Sequence, residues 1–271
     1  MAIGASLKRL AKVASAKAPV KTVYYAVMTR LSASFAARRR FEFEKLYAQD
    51  GDPWDYASRP YEQKKYRDTL EVLLANCHAT ASALEVGCSI GVFTRMMAPL
   101  FGNILAIDLS SEAVRVAASN VAGAGNVEVQ RVDFLSLDAK GRTFDVIFFA
   151  EVLYYLSDEE APDVCSALHK LLSERGVFIV VHPVEPEAGP LPWHRIFGHA
   201  FEQLVGVIIE EPERPYEISI YSRRGYRTSN LPRRSEQRAL GGWDGEVTLP
   251  FLLSSVKQEG GATVAVPNTF V

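Results

Sequence analysis

One short stretch constrains this chain more than any other. Ala83-Leu84-Glu85-Val86 is an apolar run of strand type, and it breaks at Gly87-Cys88-Ser89-Ile90-Gly91 into a turn of small residues. Val92-Phe93-Thr94-Arg95-Met96-Met97 follows and reads as a helix. A strand, a glycine turn and a helix start in that order predict a cofactor-binding turn, because glycine permits backbone angles and close approaches that a Cβ blocks. The spacing excludes the dinucleotide fingerprint G-x-G-x-x-G, which needs glycine at 89 and 92, where the chain has Ser89 and Val92.

The 271 residues suit one α/β domain with extensions. Residues 1–40 carry nine Lys or Arg and no acid, so the remaining 231 hold 21 basic and 32 acidic residues. An acidic body argues against nucleic acid as the main partner. The basic, Ser-containing arm 1–40 suits a membrane-surface or targeting helix; the alternative is a solvated, partly helical arm. Cys77, Cys88 and Cys165 form no C-x-x-C or metal-ligand pattern, which fits a reducing, cytoplasmic setting. No apolar run approaches the roughly 20 residues of a membrane span.

The entry segment 41–77 holds a helix near Phe41–Tyr47, an aromatic turn at Asp52-Pro53-Trp54-Asp55-Tyr56, and a second helix. On that helix Tyr66, Leu70, Leu73, Leu74 and Cys77 fall on one face. From residue 83 the pattern alternates. Strands are expected at 83–87, 104–108, 127–132, 144–150 and 177–181, then at 205–209 and 216–221. Ser110 is placed to cap the helix after the second strand, and Ser157 with Glu160 forms a capping box before the helix of Val164, Leu168, Leu171 and Leu172. Apolar strands alternating with amphipathic helices imply a parallel sheet covered on both faces. Residues 224–271, richer in Arg, Ser, Gly and Pro, read as a C-terminal extension, accessory or flexible.

In an open α/β sheet, ligands sit beyond the carboxyl ends of the strands. Gly87, Asp108, Asp133 and Ala150-Glu151 all fall at such ends. Asp108 lies 21 residues after Gly87, where an acid accepts hydrogen bonds from both ribose hydroxyls. Asp133 is placed to accept from an adenine amino group, with Phe134 beside it. The pattern Glu85-x-Gly87-x-Ser89-x-Gly91 resembles the first motif of class I methyltransferases that use S-adenosylmethionine (SAM), with Ser89 at the central glycine.

A narrower resemblance rests on Phe144-Asp145-Val146-Ile147-Phe148-Phe149-Ala150-Glu151-Val152-Leu153-Tyr154-Tyr155-Leu156, with Asp52-Pro53-Trp54 and Tyr66-Arg67. Over residues 41–222 the chain resembles nodulation-type (NodS-like) N-methyltransferases. The resemblance implies a Rossmann-like class I α/β fold, a mostly parallel seven-stranded sheet closed by an antiparallel strand, in a domain spanning 41–223 between the arm and the extension. It implies methylation of the free amine of a deacetylated amino sugar on an oligosaccharide. Glu151 is then the candidate proton acceptor, Tyr154 and His182 further catalytic candidates, and Trp54 and Tyr155 acceptor contacts. Tyr66 and Arg67 are candidates to close over SAM, Arg67 on its carboxylate. The alternatives are core packing for Tyr66, a surface ion pair for Arg67 and a structural role for His182. No acid and histidine cluster is visible, so no metal is expected. Competing classes are an O-methyltransferase of a small metabolite and a non-catalytic SAM-binding scaffold.

Overall fold

The computed structural model describes residues 35–77, 81–184 and 192–225. Two helices lead in, α1 (Phe35–Gln49) and α2 (Pro60–Asn76). The alternating part is β1 (Ser82–Val86), α3 (Val92–Met97), β2 (Asn103–Asp108), α4 (Ser111–Asn120), β3 (Val127–Arg131) and β4 (Phe144–Ala150). It continues with α5 (Ala161–Leu171), β5 (Leu172–Pro183), α6 (Pro192–Ala200), β6 (Phe201–Ile209) and β7 (Tyr216–Arg223).

The strands form one seven-stranded sheet in the order β3-β2-β1-β4-β5-β7-β6. β1 to β5 pair in parallel, and β7 runs antiparallel between β5 and β6. This is the mixed class I α/β sheet expected from the sequence. The strand order reverses between β1 and β4, which opens a crevice beyond their carboxyl ends.

Both faces of the sheet are covered, as continuous apolar strands require. Side chains alternate along a strand, so β4 sends Val146 and Phe148 into one core and Ile147 and Phe149 into the other. The first core is closed by Tyr66, Leu70 and Leu73 of α2 with Phe93 and Met97 of α3. The second is closed by Val164 and Leu168 of α5 with Trp193 and Phe197 of α6.

Local sequence signals account for the element ends. Ser110 caps α4 by accepting the Ala113 N–H at 3.3 Å. The capping box before α5 forms by half: the Glu160 carboxylate accepts the Ser157 N–H at 2.8 Å, but the helix starts after Glu160.

Four expectations shift. Leu74 does not share the buried face of α2; it is 39 % exposed, because a helix turns about 100° per residue and Leu73 already occupies the core. β5 starts at Leu172 rather than 177, and β6 at Phe201 rather than 205. α1 runs across residue 40, so the end of the basic segment and the start of the domain share one helix. The rest of the arm (1–34) and the extension from 226 lie outside the described residues. Among the described residues no helix is long and apolar enough to cross a membrane, and Cys77, Cys88 and Cys165 are unpaired.

Candidate active site

β1 delivers the chain into a turn in which Gly87, Ser89 and Gly91 all have positive φ, at 77°, 51° and 77°. At Gly87 an added Cβ would stand 2.7 Å from Val152 Cγ2, so the turn and the segment after β4 approach too closely for any side chain. At Gly91 a Cβ would meet the Ala117 backbone at 3.0 Å. Gly91 therefore serves the packing of the turn on α4 and does not line the cleft.

Ser89 holds a left-handed angle that costs a non-glycine residue free energy, and two hydrogen bonds and burial fix it there. Its N–H donates to Asp108 Oδ2 at 2.9 Å, its Oγ accepts the Tyr47 hydroxyl at 2.5 Å, and it is buried. Asp108, at the end of β2, also accepts the Ser110 N–H at 2.9 Å. Burial pushes its carboxyl up to about 6, against backbone hydrogen bonds that pull it down.

Glu85 lies buried on β1, two residues before Gly87. Its carboxyl accepts the Thr94 hydroxyl at 2.5 Å, and burial pushes it up to about 8. It supports the turn from below and does not reach the cleft.

An open cleft, about 700 Å³ with the solvent space of its mouth included, lies beyond the carboxyl ends of β1, β2 and β4. Gly87, Ser89 and Asp108 line it on one side, and Asp133, Phe134, Glu151 and Tyr155 on others. Trp54 lines it too, stacked on Tyr56 at 5.6 Å and edge-on to Tyr47 at 5.7 Å. Phe43 meets Tyr155 edge-on at 4.9 Å, which completes an aromatic wall.

Asp133 is not a bare strand-end acid. Its Oδ2 pairs with Arg39 Nη2 at 3.0 Å and its Oδ1 accepts the Leu135 N–H at 3.0 Å. The same guanidinium pairs with Glu160 at 3.0 Å. Phe134 is buried edge-on against Phe149 at 5.0 Å.

Glu151 adopts φ 60°, and its N–H is held by the Val181 carbonyl at 2.8 Å. One carboxylate oxygen takes Lys65 Nζ at 2.7 Å and the other the Tyr154 hydroxyl at 2.8 Å. Lys65 is buried and pairs also with Glu62 at 2.9 Å. Tyr154 thus touches the cleft through Glu151, while Tyr155 lines it directly.

The fold does not bring every expected residue to the cleft. Tyr66 is buried and stacked on Phe93 at 4.9 Å, a core position. Arg67 is exposed, and its charge is felt by Glu71 one turn along α2. The helix turns the next residue away from the buried face, so the inward cation of this segment is Lys65, not Arg67. His182, the penultimate residue of β5, lies outside the cleft, against His194 and Glu217. Burial and the neighbouring His194 push its pKa down, while Glu217 opposes them. The expectation that no acid and histidine cluster exists is corrected here: His182, His194 and Glu217 stand together.

Arg39, Phe43, Tyr47 and Lys65 escaped the sequence reading. The available signal was the Arg38-Arg39-Arg40 run directly before Phe41-Glu42-Phe43-Glu44-Lys45-Leu46-Tyr47. Charge bias alone assigned that run to an arm, but helical continuity places it on α1.

Comparison with known proteins places this geometry. Residues 41–201 match the family model of nodulation protein S (NodS). Nodulation protein S of Bradyrhizobium diazoefficiens is 33% identical over 122 residues, 45% of this chain and 56% of that protein. The Azorhizobium caulinodans protein is 30% identical over 149 residues, 54% of this chain and 69% of that protein. The matched stretch spans about half the length of the first of these relatives. Among solved structures, N-methyltransferase NodS from Bradyrhizobium japonicum WM9 in complex with S-adenosyl-L-homocysteine is similar, with a TM-score of 0.61 and 23% identity. That likeness covers 69% of this chain and 98% of that one and concerns the fold. The match over residues 41–201 makes this chain a member of the nodulation protein S family.

Proposed function

We propose that this chain is a SAM-dependent N-methyltransferase whose acceptor is the free amine of a deacetylated amino sugar on an oligosaccharide. The observation that carries the cofactor reading is Asp108. It is a buried carboxylate at the end of β2 that lines the cleft beside the Gly87–Ser89 turn. Each of its oxygens accepts one backbone N–H and keeps acceptor capacity for a ribose hydroxyl. The similar NodS structure, solved with S-adenosyl-L-homocysteine, supports the same reading.

Bound SAM supplies an electrophilic methyl group on a sulfonium. The protein's task is then to align a neutral amine in line with that methyl and to exclude water. Asp133 and Phe134 suit the adenine end, and Arg39 holds Asp133 in place. The aromatic wall of Phe43, Trp54, Tyr56 and Tyr155 suits a cation or a sugar face. Glu151 faces the acceptor side. Both its oxygens are held, by Lys65 and Tyr154, and either retains a lone pair for an amine N–H. An acceptor arriving as ammonium would give its proton to Glu151, which leaves a neutral nitrogen with its lone pair free to accept the methyl group.

The test is labelled SAM with matched panels of amino sugars, simple amines and hydroxylated metabolites. Transfer to deacetylated amino sugars, with S-adenosylhomocysteine released, is expected. Transfer only to hydroxyl acceptors would overturn the amine assignment, and absence of any S-adenosylhomocysteine would overturn the enzyme assignment.

A further inference from the structure

Three residues outside the cleft meet in a way that neither the fold nor the proposed methyl transfer requires. His182 is the penultimate residue of β5, His194 lies in the first turn of α6, and Glu217 lies on β7 directly opposite His182 in the antiparallel ladder. The two histidine Nε2 atoms are 3.3 Å apart. Glu217 Oε2 lies 3.3 Å from His194 Nε2 and 3.7 Å from His182 Nε2. We propose that His182, His194 and Glu217 form a binding site for a divalent first-row transition cation of the zinc type.

The geometry carries this. A triangle with those sides has a point about 2.0 Å from all three atoms, the length of Zn–N and Zn–O bonds. Two imidazoles and one carboxylate are a donor set such cations favour over Mg²⁺. Three protein ligands also leave a fourth, exchangeable position.

The surrounding contacts orient the donors. The Tyr221 hydroxyl lies 2.5 Å from His194 Nδ1, which leaves Nε2 for the cation. Ser219 Oγ donates to Glu217 Oε1 at 2.6 Å, which leaves Oε2. His182 is held by burial, at 4 % exposure, and its Nδ1 has no hydrogen-bond partner among the described residues. Its Nε2 contacts among the described residues are to His194 and Glu217, so the ring already presents Nε2 to the cluster.

The site would tie α6 to the β5–β7 pair. Nothing in the proposal depends on which acceptor is methylated, or on methyl transfer at all.

The test uses the full chain without a histidine tag, stripped with chelator and titrated calorimetrically with Zn²⁺, with Mg²⁺ as the control cation. Co²⁺ gives a second readout through the visible absorption of a four-coordinate site. One equivalent of Zn²⁺ is expected to bind, with no heat from Mg²⁺. His194→Ala and Glu217→Gln should each weaken Zn²⁺ at least tenfold and abolish the Co²⁺ band, while His199→Ala leaves both unchanged. Circular dichroism and unchanged SAM affinity would establish that the variants are folded. No Zn²⁺ binding by the parent chain, or binding that survives in folded His194→Ala and Glu217→Gln, would overturn the site.

Discussion

Asp108 accepts the Ser89 N–H at 2.9 Å, so the acid that ends β2 also holds the glycine turn that ends β1. One carboxylate does two jobs: it fixes a left-handed serine and presents lone pairs to the cleft. Asp108→Asn keeps the size but gives up the charge, and Asp108→Ala removes both. A hydrogen bond to a charged group contributes about 1.5–3 kcal/mol, so Asp108→Ala should weaken SAM at least about tenfold, with Asp108→Asn in between. Isothermal titration of SAM measures this directly, and unchanged affinity would remove the ribose assignment.

The same residue sets a pH dependence. Burial pushes the Asp108 carboxyl up to about 6. The ionised form is the better acceptor for ribose hydroxyls, so SAM affinity should rise with pH through about 6 and level off above it. Parallel titrations of the parent chain and of Asp108→Asn should differ in this limb, with the variant flat. A limb of the same size in both would place the titrating group elsewhere.

Glu85 gives a stability prediction instead. Its carboxyl is pushed by burial from 4.5 up to about 8. A carboxyl with a raised folded pKa favours the folded state while protonated, and that contribution is lost as pH rises from about 4.5 through about 8. Asp108, at about 6, and the histidines act in the lower part of this range, so the fall that continues toward about 8 is the part Glu85 contributes. The parent chain should lose thermal stability across it, and Glu85→Gln should lose less and still bind SAM. Melting curves at several pH values decide it, and a large loss of SAM affinity in Glu85→Gln would give Glu85 a direct cofactor role.

On the acceptor side, buried Lys65 and partly buried Glu151 pair at 2.7 Å, and removing one partner leaves the other without its counter-charge. Glu151→Gln should keep SAM affinity within about twofold while turnover falls about 10²–10⁴-fold, the range of general-base losses. Lys65→Met should lower turnover and thermal stability together. The double variant should recover part of the stability but none of the turnover. Turnover retained in Glu151→Gln across pH would eliminate Glu151 as proton acceptor.

These residues also mark how far the sequence could be read. Gly87, Asp108 and Asp133 were legible because strand ends in a parallel sheet converge by topology, whatever separates them along the chain. Glu151 was legible for the same reason. Arg67 was not placed correctly, because a 100° step around α2 decides between Lys65 inside and Arg67 outside, and adjacent basic residues carry no signal for it. Arg39 was hidden by composition: a run of arginines looks like a solvated arm until its partners Asp133 and Glu160 are known. The meeting of His182 with His194 and Glu217 follows from the antiparallel insertion of β7 beside β5, and no local ligand spacing announces it.

Arg39 offers the sharpest test of that last kind of contact. Its guanidinium is buried and pairs with Asp133 and Glu160, both at 3.0 Å. Burial pushes the Glu160 carboxyl up, but Arg39 and the Ser157 N–H outweigh it and hold it below its ordinary range. A depressed carboxyl contributes stability that is present above its unfolded pKa and lost as pH falls through the folded one. Arg39→Ala leaves two partly buried carboxylates unpaired, a loss of about 3–5 kcal/mol in fully buried cases and less here, since both acids keep some exposure. The variant should therefore melt earlier at neutral pH, and the difference from the parent chain should shrink as the pH drops below the carboxylate range. Because Asp133 lines the cleft, SAM affinity should fall too. Arg39→Lys should restore only part of both, since one ammonium cannot reproduce a fork that serves two acids. A full rescue by lysine would show that one charge suffices without the fork, and a stability difference that stays constant into acid would show that Arg39 acts by packing rather than by pairing.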